Sequence, residues 1–166
     1  MSVLTVGDGD LSYSAAVARS LGDGGFVLAT SYEPEATVRS VYAGAAPLEE
    51  LRRREGAAVL FGVDATDLRG TIPPPFRPGG SRGGRCRCCP GGRYHRIVWN
   101  FPCTAAEGGQ DGQNDAWDDN RRLLTKFVRG TLRDGWLCAR GGEVHLSHKT
   151  KPPYGAWDVR GVAEEA

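Results

Sequence analysis

No apolar run in this sequence approaches membrane-spanning length, and the N-terminus enters a strand-like stretch at once, without a charged leader followed by an apolar core. The expectation is a protein that stays inside the cell and has no membrane partner. Charge of one sign is also lacking, the formal net charge being +1 at pH 7. That balance neither indicates nor excludes nucleic acid, because binding needs a local basic surface rather than a global surplus. No internal repeat is visible. Cysteine is sparse: of five, three crowd together as Cys86, Cys88 and Cys89 without a second pair at zinc-ribbon spacing, so no metal site is expected. Such usage fits a reducing compartment better than a disulfide framework.

What is present fits one domain over residues 1–166, with 40% hydrophobic and 25% charged residues, ordinary values for a globular chain with a real core. The organising stretch is Val3 to Ser14. A β-branched apolar run breaks at Gly7-Asp8-Gly9-Asp10 and gives way to a helix-like stretch, Ser14 to Leu21. Strand, tight turn and helix in that order form the first turn of a doubly wound sheet. There, glycines let backbone approach a nucleotide-like ligand and the helix N-terminus offers free N–H groups. The third glycine of the dinucleotide fingerprint is absent. Asp8 and Asp10 would repel a pyrophosphate, so a ligand carrying an amino group, such as S-adenosylmethionine, suits the loop better. A plain structural turn is the alternative for Gly-x-Gly.

Further along, Phe26 to Ser31 is a second strand, ending at Tyr32-Glu33. Glu33 follows Gly7 by 26 residues, near the distance at which a carboxylate accepts hydrogen bonds from ribose hydroxyls. A capping charge before Pro34 is the competing role. Helical signals run over 35–42 and 47–54, with Leu48 and Leu51 on one face. Ala57 to Val63 is a third strand, followed by Asp64. Its carboxylate either accepts from an adenine amino group or, with Thr66, caps the next turn.

From Gly70 to Arg93 the composition turns to Pro, Gly, Arg and Cys, which predicts a disordered insertion within the domain. Arg77, Arg82, Arg85, Arg87 and Arg93 there either contact RNA phosphates or stay solvated. Tyr94 to Pro102 is a fourth strand ending in Asn100-Phe101-Pro102, where an amide can read a base edge and an aromatic ring can stack on the base. A helix is predicted over 114–132, with Leu123, Leu124, Phe127 and Val128 as its apolar stripe, and a fifth strand over 143–150. Alternation of strands and helices predicts an α/β, mostly parallel, doubly wound sheet.

Six blocks occur in order: Val6 to Ser14, Thr30-Ser31-Tyr32-Glu33, Gly62 to Thr66, Asn100-Phe101-Pro102, Asn120-Arg121-Arg122-Leu123-Leu124, and Lys149-Thr150 with Pro153-Tyr154 and Trp157. Together they resemble the 25S ribosomal RNA (uridine-N3)-methyltransferase-like domain, a Rossmann-like family. The resemblance covers nearly the whole chain apart from the Pro/Gly/Arg segment. It implies a class I methyltransferase sheet, of which five strands are recognisable and the last two are not. It also implies methyl transfer from S-adenosylmethionine to uridine N3 in large-subunit ribosomal RNA.

By position, the resemblance puts Gly7, Asp8, Gly9 and Asp10 at the methionine end of the cofactor, Glu33 at the ribose and Asp64 at the adenine. Asn100 and Phe101 would face the target base. Candidate bases for the N3 proton are Asp10, His148 and a water held by Asn100, and Lys149 is a candidate to steady charge on the uracil carbonyls. Two positions depart from the family pattern: Leu11 replaces phenylalanine, and Cys103 replaces a histidine. The expected partner is ribosomal RNA with an unpaired or flipped uridine, the expected state a monomer, and the expected compartment the cytoplasm or nucleolus. A catalytically silent RNA-binding or assembly module on the same fold is the alternative, and a nicotinamide-dependent oxidoreductase is disfavoured by the acidic turn.

Overall fold

The computed structural model describes residues 1–42, 45–80, 92–104, 117–152 and 154–165. Its strands are β1 (Ser2–Val6), β2 (Phe26–Thr30), β3 (Ala57–Leu60), β4 (Arg96–Asn100) and β5 (Glu143–Ser147). The helices are α1 (Ser12–Leu21), α2 (Glu35–Ser40), α3 (Ala45–Arg52), α4 (Leu68–Thr71), α5 (Trp117–Arg133) and α6 (Val159–Glu164). All four strand pairings are parallel and the order is β3-β2-β1-β4-β5. This is the doubly wound, Rossmann-like sheet the sequence predicts.

Burial explains the order. Every residue of β1 is buried, as a central parallel strand covered on both faces requires, whereas β5 alternates exposed and half-buried residues at the sheet's edge. On one face, α1 and α3 bring Leu11, Ala15, Ala18, Leu48 and Leu51 onto Val27 and Ala29. On the other, α5 brings Phe127 and Val128 onto Leu4, Val6, Leu28, Ile97 and Trp99. Small residues at Ala15 and Ala18 let α1 lie close to the sheet. Its end is fixed by Gly22, whose positive φ of 59° lets its N–H reach back to the carbonyls of Ala18 and Arg19.

Four strands are shorter than their periodicity predicts, β2 by one residue, at Thr30. β3 stops at Leu60 because the chain turns at Gly62 (φ 69°), after which the Val63 N–H donates to the Ser31 carbonyl. β4 stops at Asn100 because Phe101 takes a left-handed conformation, and β5 stops before His148. A larger difference lies in the Pro/Gly/Arg segment, whose first part is folded against the domain. Ile72 is fully buried, the Phe76 ring stacks on Phe26 at 6.3 Å, and the Tyr94 hydroxyl donates to the Phe76 carbonyl at 3.0 Å. Arg77 donates from its side chain to the Ile72 carbonyl. Pro74 and Pro75 open a short 3-10 turn, Pro74–Phe76, where their missing N–H groups leave no bond unmade. Arg82, Arg85, Arg87, Cys86, Cys88 and Cys89 lie outside the described residues. Cys138 is disulfide-bonded, where the cysteine usage favoured a reducing compartment over a disulfide framework.

Candidate active site

Strand order reverses at β1, since β2 lies on one side of it and β4 on the other. Loops leaving the carboxyl ends of β1 and β4 therefore diverge and open a crevice, the place where doubly wound sheets take their ligands. Register fixes what lies there. Val6 is paired with Trp99, so Gly7 emerges beside Asn100, and Asn100 is paired with Ser147, which brings His148 and Lys149 to the same edge. Thr30 pairs with Leu60, so Glu33 and Asp64 leave that edge on the other side of β1.

Gly7 has a φ of 62°, and a Cβ there would stand 2.8 Å from the Trp99 indole nitrogen. Both facts require glycine. A Cβ on Gly9 would meet the Tyr42 ring at an ordinary 3.6 Å, so Tyr42, 45% exposed, lies beside the loop. Asp8 is tied into the loop through one carboxylate oxygen. Its carboxylate accepts the Ser14 N–H at 2.7 Å and the Ser14 hydroxyl, while its own N–H donates to the Thr30 carbonyl at 3.0 Å. Ser14 in turn meets the Thr5 hydroxyl at 2.7 Å, and the Thr30 hydroxyl donates to the Thr5 carbonyl at 2.8 Å. Asp8 thus anchors the first turn of α1 to β1 and β2. Burial raises its pKa above 3.8 despite the hydrogen bonds from Ser14, and the nearby Asp10 carboxylate adds to the rise.

Asp10 accepts the Ser12 N–H at 2.9 Å. The Glu33 carboxylate makes no hydrogen bond or ion pair among the described residues; its backbone N–H is held by the Ser31 hydroxyl at 3.2 Å. Asp64 caps the following turn through one oxygen, which accepts the Thr66 N–H at 2.7 Å and the Thr66 hydroxyl at 2.8 Å. The capping role is therefore real for that oxygen, and its second oxygen has no partner among the described residues. Asn100 is half-buried with its amide likewise unpartnered, and Phe101 is 60% exposed at a φ of 51°. The Phe101 N–H donates to the Ser147 carbonyl at 2.8 Å, which fixes this strained residue to β5.

His148 is half-buried beside the turn that follows β5. Its ring stacks on the buried Trp157 at 4.4 Å and stands edge-on to Tyr154 at 5.7 Å, and neither ring nitrogen has a hydrogen-bond partner of good geometry. Burial lowers its pKa, outweighing the nearby Tyr154 backbone. The Lys149 ammonium lies over the Tyr154 ring at 4.7 Å from its centroid. Leu11 is fully buried at a φ of 62°, so the leucine serves packing.

The sequence-based list of site residues lacks three groups that hold the site together. Thr5 and Ser14 form the buried polar chain under Asp8. Asn120, fully buried, accepts the Thr104 N–H at 2.8 Å and ties α5 to the loop after Asn100-Phe101-Pro102. Its signal was available, because Asn120 falls on the apolar stripe of α5, four and seven residues before Leu124 and Phe127.

A five-stranded parallel sheet with this order, a glycine loop at the switch point and carboxylates beyond the next two strands defines a Rossmann-like protein of methyltransferase type. The chain belongs to the family described as BMT5-like, rRNA (uridine-N3-)-methyltransferase BTM5-like, which matches residues 4–166. It is similar to heavy metal-associated isoprenylated plant protein 41 of Arabidopsis thaliana, at 32% identity over 97% of this chain and 28% of the relative. It is also similar to the ferredoxin-fold anticodon-binding domain-containing protein 1 homolog of Mus musculus, at 29% identity over 87% of this chain and 19% of the relative. The chain thus spans well under a third of either relative. Among the described residues no group of three or more His, Cys, Asp or Glu could hold a metal ion, and no helix is long and apolar enough to cross a membrane.

Proposed function

We propose that this protein binds S-adenosylmethionine at the carboxyl edge of the sheet and methylates the N3 of a uridine in ribosomal RNA. One observation carries the proposal. The Gly7–Asp10 loop and the Asn100-Phe101 pair flank the topological switch point, while the Glu33 carboxylate and the second oxygen of Asp64 have no partner among the described residues. The residues fit the cofactor: glycine backbone without Cβ atoms for its methionine end, a free carboxylate for its ribose hydroxyls and a free acceptor for its adenine amino group.

S-adenosylmethionine, when bound, supplies the electrophilic methyl group. The protein's part is to hold and orient. Asn100 offers one donor and one acceptor to the uracil edge, and Phe101, held outward by its left-handed backbone, stacks on the base. In-line positioning then supplies most of the acceleration. The uracil N3 gives up its proton and gains the methyl carbon. Asp10, which accepts the Ser12 N–H through one oxygen only, and a water held by Asn100 are the candidate acceptors of that proton. Because N3 is inaccessible in a paired stack, the substrate is an unpaired or flipped uridine. The protein acts as a monomer in the cytoplasm or nucleolus.

Incubation with cofactor and ribosomal RNA, followed by digestion and mass spectrometry, tests this. N3-methyluridine formed by the parent and lost in Asn100→Ala is the expected result. A second reading, a silent RNA-binding module, draws on the stacking of the His148 ring on Trp157, which leaves it a poor base; cofactor binding without N3-methyluridine on any RNA would favour it.

A further inference from the structure

The basic residues of α5 are arranged with a regularity that the catalytic edge does not use. Arg122, Lys126, Arg129 and Arg133 recur at spacings of four, three and four, which places them on one stripe of the helix. All four are exposed, whereas Leu124, Phe127, Val128 and Thr131 on the opposite stripe are buried. The row spans eleven residues, about 16 Å along the helix axis. It begins two residues after Asn120, the residue that ties α5 to the loop carrying Asn100 and Phe101.

The contrast with the other face of the sheet is one of neutralisation. On α1 to α3 and the turn after them, Arg19, Arg39, Arg52 and Arg54 each pair with a glutamate, Glu35, Glu49 or Glu50. Within the row, the carboxylate partners among the described residues belong to its ends, Arg122 with Asp119 at 3.2 Å and Arg133 with Asp134 at 3.0 Å. Lys126 makes no ion pair among the described residues, and the described contact of Arg129 is to the Glu165 carbonyl at 3.5 Å. Beside the row lies a groove of about 510 Å³, walled by Lys126, Arg129 and Arg133 on one side and by Thr66 and Asp67 on the other. Lys126 and Arg129, without a carboxylate partner among the described residues, thus sit in the middle of a basic line that leads away from the carboxyl edge of the sheet.

We infer that this row is a track for the phosphate backbone of single-stranded RNA, holding the strand while one of its uridines occupies the edge of the sheet. The inference rests on the methyltransferase reading for its direction, since the row starts where the target base would sit. Phosphate contacts position a strand without reading its sequence, and point charges on flexible stems suit that task.

The test measures binding of single-stranded oligouridylate to the full chain by fluorescence anisotropy over a range of potassium chloride concentrations. Lys126→Ala/Arg129→Ala is expected to weaken binding and make the plot of log K against log salt shallower by about 1.4, the value for two lost contacts. Arg19→Ala/Arg52→Ala, the same charge change on the other face, should leave that slope as in the parent. Calorimetric titration of the first variant with S-adenosylmethionine should match the parent. An unchanged slope in Lys126→Ala/Arg129→Ala, or an equal loss in the control pair, overturns the track. So does a parent that takes up S-adenosylmethionine but no oligouridylate. A parent that binds no S-adenosylmethionine yet shows the α5-specific loss of slope supports the track while overturning the methyltransferase reading.

Discussion

Asp8 and Ser14 are joined twice: the Asp8 carboxylate accepts both the backbone N–H and the hydroxyl of Ser14, six residues later in the chain. This pair closes the glycine loop onto α1. One oxygen of an aspartate in the Gly7–Asp10 turn thereby serves the loop's own shape.

Replacing Asp8 by alanine leaves two donors without their acceptor and should cost about 1–2 kcal/mol. Asp8→Asn keeps an acceptor and should cost little at pH 7. The pH dependence separates the two further. Because burial raises the folded pKa, the native state holds its proton above pH 3.8, where the unfolded chain has lost it. Stability from this group is thus full below 3.8 and falls as pH rises through the folded value. Urea melts at a series of pH values should show that descent as the difference in stability between the parent and Asp8→Asn.

Gly7→Ala combines a left-handed backbone with a clash against Trp99, together about 2–4 kcal/mol. Adding Trp99→Phe should recover only the clash. Thermal melts of the single and double variants check this, with recovery to the parental midpoint contradicting the backbone part.

Phe101 stores strain at a position where its side chain is mostly solvent-exposed. Phe101→Gly relieves a left-handed residue, about 1–2 kcal/mol, and loses part of that to chain entropy. The variant should unfold at or slightly above the parental temperature while losing N3-methyluridine formation. A large drop in stability would mean that the ring serves packing rather than the substrate.

His148 reports on the C-terminal turn. Its folded pKa lies below 6.5, with burial as the main cause, so the unfolded chain takes up the proton first. The stability it contributes is present above pH 6.5 and is lost as pH falls through the folded value. His95, also depressed by burial, acts in the same direction. Acidification from pH 7 should change the fluorescence of Trp157, and His148→Phe, which keeps a ring against Trp157, should remove most of that change.

Much of this was legible in the sequence, for physical reasons. Buried parallel strands need continuous apolar runs, and β1, β2 and β4 announce themselves that way. Gly7 is legible because no other residue fits its backbone and its neighbour. Asp8 is not legible, because six residues of separation do not reveal that Ser14 returns to it through the turn of α1. The segment after Gly70 misleads by composition: Ile72 and Phe76, two apolar groups among prolines, suffice to hold it on the core. Asp64 shows how two readings can both hold, since one oxygen caps a turn and leaves the other open.

The central claim is that the crevice at the switch point takes S-adenosylmethionine. Calorimetric titration of the parent and of Glu33→Ala tests it most directly, because the Glu33 carboxylate has no partner among the described residues and its loss should leave the fold intact. The account predicts a dissociation constant in the micromolar range for the parent and one at least about tenfold weaker for Glu33→Ala, as loss of a hydrogen-bonded charge implies. A folded parent that releases no heat with the cofactor, or a Glu33→Ala protein that binds it equally well, would contradict it.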